Sequence, residues 1–295
     1  MTVTPGLIAL RIEKGELDGF GLPGDENPSD VQHARADPKY AGYLVNTPVT
    51  AVEWLDLNVH EPPLDKLAIR QAIAMAINRR RIVQVVGGLA LPANQIYISL
   101  MPQYDPTLDL HPIYPYDPRK AAALVKASGY HGQPLTLFFD NSVPSDLTSM
   151  SAVQQDLQQI GLTVALRGVS TAAFDAAEVK LRGHHMDQSG WGIDYPDAYD
   201  TYTAKVNCTA NAAGGVSGSH YCDPTADALV AKAQTLPLGS DRNALFRQAQ
   251  MRILHAASVV PLIYYLSPLL VSPRVGGFYF QPTFGWQFES YWIKR

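Results

Sequence analysis

The sequence predicts an α/β fold in which a mixed sheet is flanked by helices. Three observations predict it. Short segments of strand-like apolar pattern alternate with helix-period segments through most of the chain, the signature of layered α/β domains. Two Asp-Pro pairs, Asp117-Pro118 and Asp223-Pro224, mark helix starts: Asp can cap the first turn, and Pro at the first helical position loses no needed N–H. Apolar stripes stop at glycines, as where Ile160 meets Gly161.

Pro5–Leu22 reads as a short helix ending at Gly15, then a strand-like Leu17–Phe20. Gly24–Pro38 is polar, loop-like or briefly helical. Val52–Val59 alternates and reads as a strand. From about Lys66 a helix follows, with Ile69, Ala72, Ile73, Ala76 and Ile77 on one face and Arg70 and Asn78 off it. Pro92–Pro115 is a long proline-rich connection. A helix runs from Asp117-Pro118 to near Gly129, and Leu135–Phe139 is a strand. Leu147, Met150, Val153, Leu157 and Ile160 form one helical stripe. Leu162–Arg167 is a strand, Ala172–Leu181 a helix, and Met186–Gly192 runs into a strand end. Helices follow over Asp223–Thr235 and from a Ser240 cap to about Ala256. Val259–Tyr265 is a short apolar strand, and the aromatic tail through Phe278, Phe280, Trp286 and Trp292 returns to strand and loop.

Composition narrows the function. With 23 basic and 27 acidic residues the net charge is −4, which offers no basic face for nucleic acid. No run approaches the roughly 18 apolar residues of a membrane span. Met1–Gly6 carries neither the basic nor the apolar part of a secretory signal. The 15 Tyr outnumber the 9 Phe, which suits a surface that meets polar organic molecules. Cys208 and Cys222 bracket a Gly-, Ser-, Asn- and Ala-rich stretch with no helix or strand pattern, so a disulfide clip there would stabilise by about 3 kcal/mol. Two unrelated buried thiols are the alternative. A disulfide implies an oxidising compartment.

Catalytic and metal motifs fail on their chemistry. Adjacent His184 and His185 point to opposite faces of an extended segment, with no third ligand at zinc spacing, and read as an ordinary surface or cleft pair. Ser217 lies among glycines but lacks the closing Gly of a nucleophile elbow. No phosphate-cradling loop occurs. No cofactor, metal or enzymatic activity is expected. The segment Ser189–Tyr199 is different: glycines end a strand and then present Trp191, Asp194 and Tyr195 on a proline-punctuated loop. Glycines let a ligand approach the backbone, Trp offers a flat apolar wall, and Asp accepts from an ammonium. Asp194 and Asp197 could in principle act as an acid–base pair, but two acids in one loop is also what turns look like.

Several stretches together resemble the extracellular solute-binding proteins of the dipeptide, oligopeptide and nickel importer group, family 5. They are Leu7–Asp18, with its Gly-Glu-apolar-Asp turn; Asn58 followed by Pro62–Arg79; Tyr116–Ala121 through Ala127–Tyr130; the Trp-x-x-Asp of Trp191–Asp194; and Tyr221–Pro224 through Leu229. Ala198 stands where a second proline is frequent, which leaves the ligand class open.

The resemblance implies a periplasmic-binding-protein type II-like lobe with remnants of a second: residues 1–46 from lobe I, 47–270 as the C-terminal ligand-binding lobe, 271–295 returning towards lobe I. Family members are longer, so the missing part is expected to be N-terminal. It would include most of lobe I and, for some members, a lipid anchor. The implied function is the ligand-capturing component of an ABC importer, extracytoplasmic, whose partners are a peptide or small solute, the missing lobe and a membrane permease. A sensory ligand-binding module of the same fold is the alternative. By resemblance Asp194 pairs with a ligand ammonium, Trp191 is a pocket wall and Tyr195 a hydrogen-bonding neighbour. Asp197, expected on the outer part of the loop, should matter less.

Overall fold

The computed structural model describes residues 8–20, 28–40, 42–180 and 182–294. Pro5–Leu7, Gly21–Leu22, Gly24–Asn27 and Leu181, parts of expected elements, lie outside them. The central sheet has six strands: β1 Ala51–Leu57, β2 Ala90–Pro92, β3 Leu135–Asp140, β4 Val164–Val169, β5 Met186–Gly192 and β6 Val259–Tyr265. Their order is β2-β6-β1-β5-β3-β4. β3 runs parallel to β4 and β5, and the other neighbours are antiparallel, so the sheet is mixed as expected.

Helices cover both faces. Leu55 and Leu57 of β1 enter one core with Ile69 and Ile73 of α1 (Leu67–Ala76), Ile82 of α2 (Arg79–Val85), Val125 of α3 (Pro118–Ala127) and Val153 of α4 (Pro144–Gln159). Val52 and Trp54 enter the other with Tyr97, Tyr202, Val230 of α6 (Pro224–Gln234) and Phe246 of α7 (Ser240–Ala256). Removing one such side chain, Trp54→Ala for instance, would cost about 3–5 kcal/mol. Because both faces are covered, the polar positions of β1 do not meet solvent: Asp56 is wholly buried and accepts from Trp54 Nε1 at 3.0 Å.

The capped starts form as their chemistry dictates. Asp117 accepts from Lys120 N at 2.9 Å, and Asp223 from Thr225 N and Ala226 N at 3.0 and 3.1 Å. Arg70, off the apolar stripe, is nevertheless buried, because its guanidinium binds the carbonyls of Leu64 and Ala256 at 2.7 and 2.9 Å. Two expectations need correction. Leu147 is 54% exposed, leaving Met150, Val153, Leu157 and Ile160 to pack. Ser240 begins its helix without capping it; Gly239 holds the cap position, without a side-chain bond.

A small antiparallel sheet joins distant parts of the chain: Gly19–Phe20 and Leu44–Val45 both pair with Leu269–Val271. Arg274 Nε donates to Asp18 Oδ1 at 2.7 Å beside it. Two adjacent segments cross from this sheet to the main one, Thr47–Thr50 into β1 and Leu266–Pro268 out of β6, tied by Thr47 Oγ1 donating to the Ser267 carbonyl at 2.6 Å.

Candidate ligand-binding site

β3, β5 and β6 end at the same edge of the sheet, where β1 begins. α5 (Thr171–Glu178), which follows β4, lies over that edge. A cavity of about 420 Å³ opens there, lined by the ends of these strands and by residues of α4 and α5. The carboxyl edge of a sheet is where α/β folds hold ligands, since loops there are free to vary over a rigid frame. At Gly190 a β-carbon would stand 2.6 Å from the Val52 carbonyl oxygen, so a side chain at this position would force β1 and β5 apart.

Trp191 lines the cavity, and its Nε1 donates to Asp200 Oδ2 at 2.9 Å. The same oxygen accepts the Asp194 N–H at 2.9 Å. Ile193 between them is buried, its N–H on the Thr50 carbonyl at 2.9 Å. One buried carboxylate therefore fixes both ends of the Trp-x-x-Asp turn. Burial pushes the Asp200 carboxyl above its ordinary value, against the pull of these bonds. The Asp194 side chain is exposed, and Tyr195 is 44% exposed. Both stand on the loop continuing from Trp191, outside the cavity lining.

Asp197 is not an outer-loop residue. Its carboxylate takes both Arg242 nitrogens, Nη1 at 2.6 and Nη2 at 2.8 Å, and Gln103 Nε2 at 3.1 Å. It also caps the short helix Ala198–Thr201 through Tyr199 N at 3.0 Å. Burial raises its pKa, but the Arg242 bond and charge outweigh that and hold it below the ordinary range.

The inner wall is polar in a way the sequence did not announce. Glu53 Oε2 accepts from Gln188 Nε2 at 2.9 Å and from the Tyr265 hydroxyl. Burial pushes Glu53 up to about 7 despite the Tyr265 bond. Burial likewise raises Asp146 to about 6. Glu178 rises to about 7, burial outweighing Lys205 3.4 Å away. A lone acid in a strand or helix start looks like a solvated position in one dimension, so no sequence signal marked these groups.

Cys208 and Cys222 are bonded, with Cα atoms 4.4 Å apart. The loop they close is ordered by Asn211: its Nδ2 donates to the Lys205, Val206 and Asn207 carbonyls, and its Oδ1 accepts from Ser219 Oγ at 2.6 Å. The histidines also differ from expectation. His184 is not a surface residue; it is buried against Asp187 at 3.1 Å and the Gly218 carbonyl at 3.2 Å. His185 Nδ1 accepts from Thr136 N at 3.2 Å.

A solvent-open cavity at the carboxyl edge of a mixed sheet, beside paired crossing segments, defines the class: a solute-binding lobe of the type II periplasmic kind. Residues 6–213 match the bacterial extracellular solute-binding proteins, family 5 Middle, and the chain belongs to that family. The family consists of binding proteins, not enzymes. Among its relatives, a probable di/tripeptide-binding protein 5 of Pseudomonas aeruginosa is 28% identical across 97% of this chain and 54% of its own length. The peptide transport periplasmic protein SapA of Salmonella typhimurium is 27% identical across 85% of this chain and 45% of its own. The chain thus spans about half the length of the curated relatives it matches. The structure of DppA from Helicobacter pylori in complex with peptide STSA superposes with a TM-score of 0.79 at 24% identity, covering 97% of this chain and 55% of that one. Among the described residues no helix is long and apolar enough to cross a membrane.

Proposed function

We propose that this chain supplies the C-terminal ligand-binding lobe of an extracytoplasmic peptide receptor that delivers its ligand to an ABC permease. Residues 47–268 form the lobe, two residues short of the expected boundary because Leu269–Val271 pairs with Gly19–Phe20 and Leu44–Val45, while 1–46 and 269–295 belong to a second lobe completed by further polypeptide. The observation that carries the reading is the Trp191–Asp194 turn, which is held by Asp200 and lines the carboxyl-edge cavity through Trp191. The two tied crossing segments are a natural hinge for closure over that cavity. Phe284, Phe288 and Trp292, in the segment assigned to the second lobe, are 78%, 71% and 60% exposed, apolar side chains that the rest of that lobe would cover. The names of relatives, which include di/tripeptide binding and peptide transport, support a peptide ligand.

In this reading Asp194 receives the peptide ammonium, Trp191 packs on the peptide and Tyr195 hydrogen-bonds beside them. Closure desolvates the carboxylate, and losing one partner of a desolvated charge pair costs about 2–5 kcal/mol. In the two-lobe protein Asp194→Ala weakens peptide affinity by about 30-fold or more, at about 1.4 kcal/mol per tenfold. Calorimetry with a mixed peptide library measures this, and equal affinities for the two proteins would remove the anchoring role.

A further inference from the structure

Among the described residues the cavity wall carries five carboxylates, Glu53, Asp140, Asp146, Asp175 and Glu178, against one ammonium, Lys205. Lys205 is committed to Glu178 at 3.4 Å and to the Val216 carbonyl at 2.8 Å. Asp140 is held by Thr171 Oγ1 at 2.6 Å and Ser142 N at 2.8 Å. Among the described residues, no cation pairs with Glu53 or Asp146. Glu53 is 2% exposed, and while its Oε2 is doubly bonded, its Oε1 has no hydrogen-bond partner among the described residues. A buried carboxylate oxygen left in this state is costly, so such groups normally find a partner.

We propose that this cavity receives a positively charged organic group of the ligand, an ammonium or guanidinium, seated against Glu53 and Asp146. The proposal rests on the peptide-receptor reading and adds a preference for a basic side chain, distinct from the terminal ammonium assigned to Asp194. Three features fit an organic cation. The volume of about 420 Å³ is far larger than one ion needs. Among the described residues no three acidic, His or Cys groups converge as metal ligands do. Phe174, Trp191 and Tyr265 add aromatic surface to the same wall, against which an alkyl stem packs and a cation is attracted. Burial, with the negative charge of Asp146, raises Glu53 to about 7 against the pull of its Tyr265 and Gln188 bonds. A cation beside it would restore its charge.

The test is a titration of the isotope-labelled chain with Ala-Lys-Ala, Ala-norleucine-Ala and Ala-Glu-Ala, followed at the amides of Gly190, Trp191 and Gly192 and at the Trp191 indole. The lysine peptide is expected to bind at least about tenfold more tightly than its uncharged norleucine counterpart. Glu53→Gln and Asp146→Asn should each shrink that ratio severalfold. Asp146→Asn, at the first turn of α4, carries the test if the Glu53 variant does not fold. Equal lysine and norleucine affinities would overturn the basic-group preference and leave the peptide reading standing. Shifts from calcium chloride alone matching those from the lysine peptide would overturn the organic cation. No shift with any peptide up to its solubility limit would overturn the basic-group seat in this lobe.

Discussion

Asp197→Ala tests how the binding loop is held. The substitution removes a helix cap, worth about 1 kcal/mol. It also strands the Arg242 guanidinium, whose side chain is only 7% exposed and bonded to Asp197 through two nitrogens at 2.6 and 2.8 Å. Removing one partner of a buried pair costs about 3–5 kcal/mol. Asp197 itself is 18% exposed, and Arg242 keeps its seat 4.8 Å over the Phe246 ring, so the lower end applies. The expected loss is about 4 kcal/mol, read as a lower urea midpoint at unchanged slope. Asp197→Asn, which keeps the cap and the shape but not the charge, should lose about half of that. The helix that Asp197 caps carries Asp200, so the alanine variant should also weaken peptide binding without Asp197 touching ligand. A stability within about 1 kcal/mol of wild type would refute the argument.

Two further predictions concern the whole fold. Glu53, Asp56, Asp146 and Glu178 all have raised folded values, about 7, 6, 6 and 7, so protonation favours the folded state. Their contribution is fully present below their unfolded values and lost as pH rises through 6 to 7, whereas that of Asp197 and Asp223, both lowered, is lost in acid. Thermal midpoints should therefore peak near about pH 5 and fall towards about pH 8; a steady rise over that range would contradict the assignment. Thiol labelling of the unreduced protein should find no free cysteine, and replacing both Cys208 and Cys222 by Ser should cost about 3 kcal/mol in denaturant unfolding.

Much of the fold was legible because its signals are local. Asp117 and Asp223 cap, Gly129 and Gly161 take φ of +73° and +90° at helix ends, and the apolar stripe of α1 packs as spaced. Sheet order was not legible: β1 lies between β5 and β6, strands far along the chain, and nothing within seven residues encodes a neighbour two hundred positions away. The β1 sequence shows why site chemistry was harder still. Val52 to Leu57 alternates as a half-exposed strand would, yet all six residues are buried, because helices cover both faces. Glu53 and Asp56 thus look like solvent positions and are not.

The same limit explains the loop. Trp191 and Asp194 stand out in sequence because glycines and a proline punctuate them, whereas Asp200, which holds both, sits unmarked in a short helix six residues beyond Asp194. A residue that binds ligand must be exposed to it and tends to fall where the chain turns, so turn chemistry betrays it. A residue that positions another acts through a buried hydrogen bond, whose existence depends on the path of the chain between them. Here that path is set by Asp197, through Arg242 on a helix more than forty residues later. The turn that meets ligand is written locally; its rigidity is written in α7.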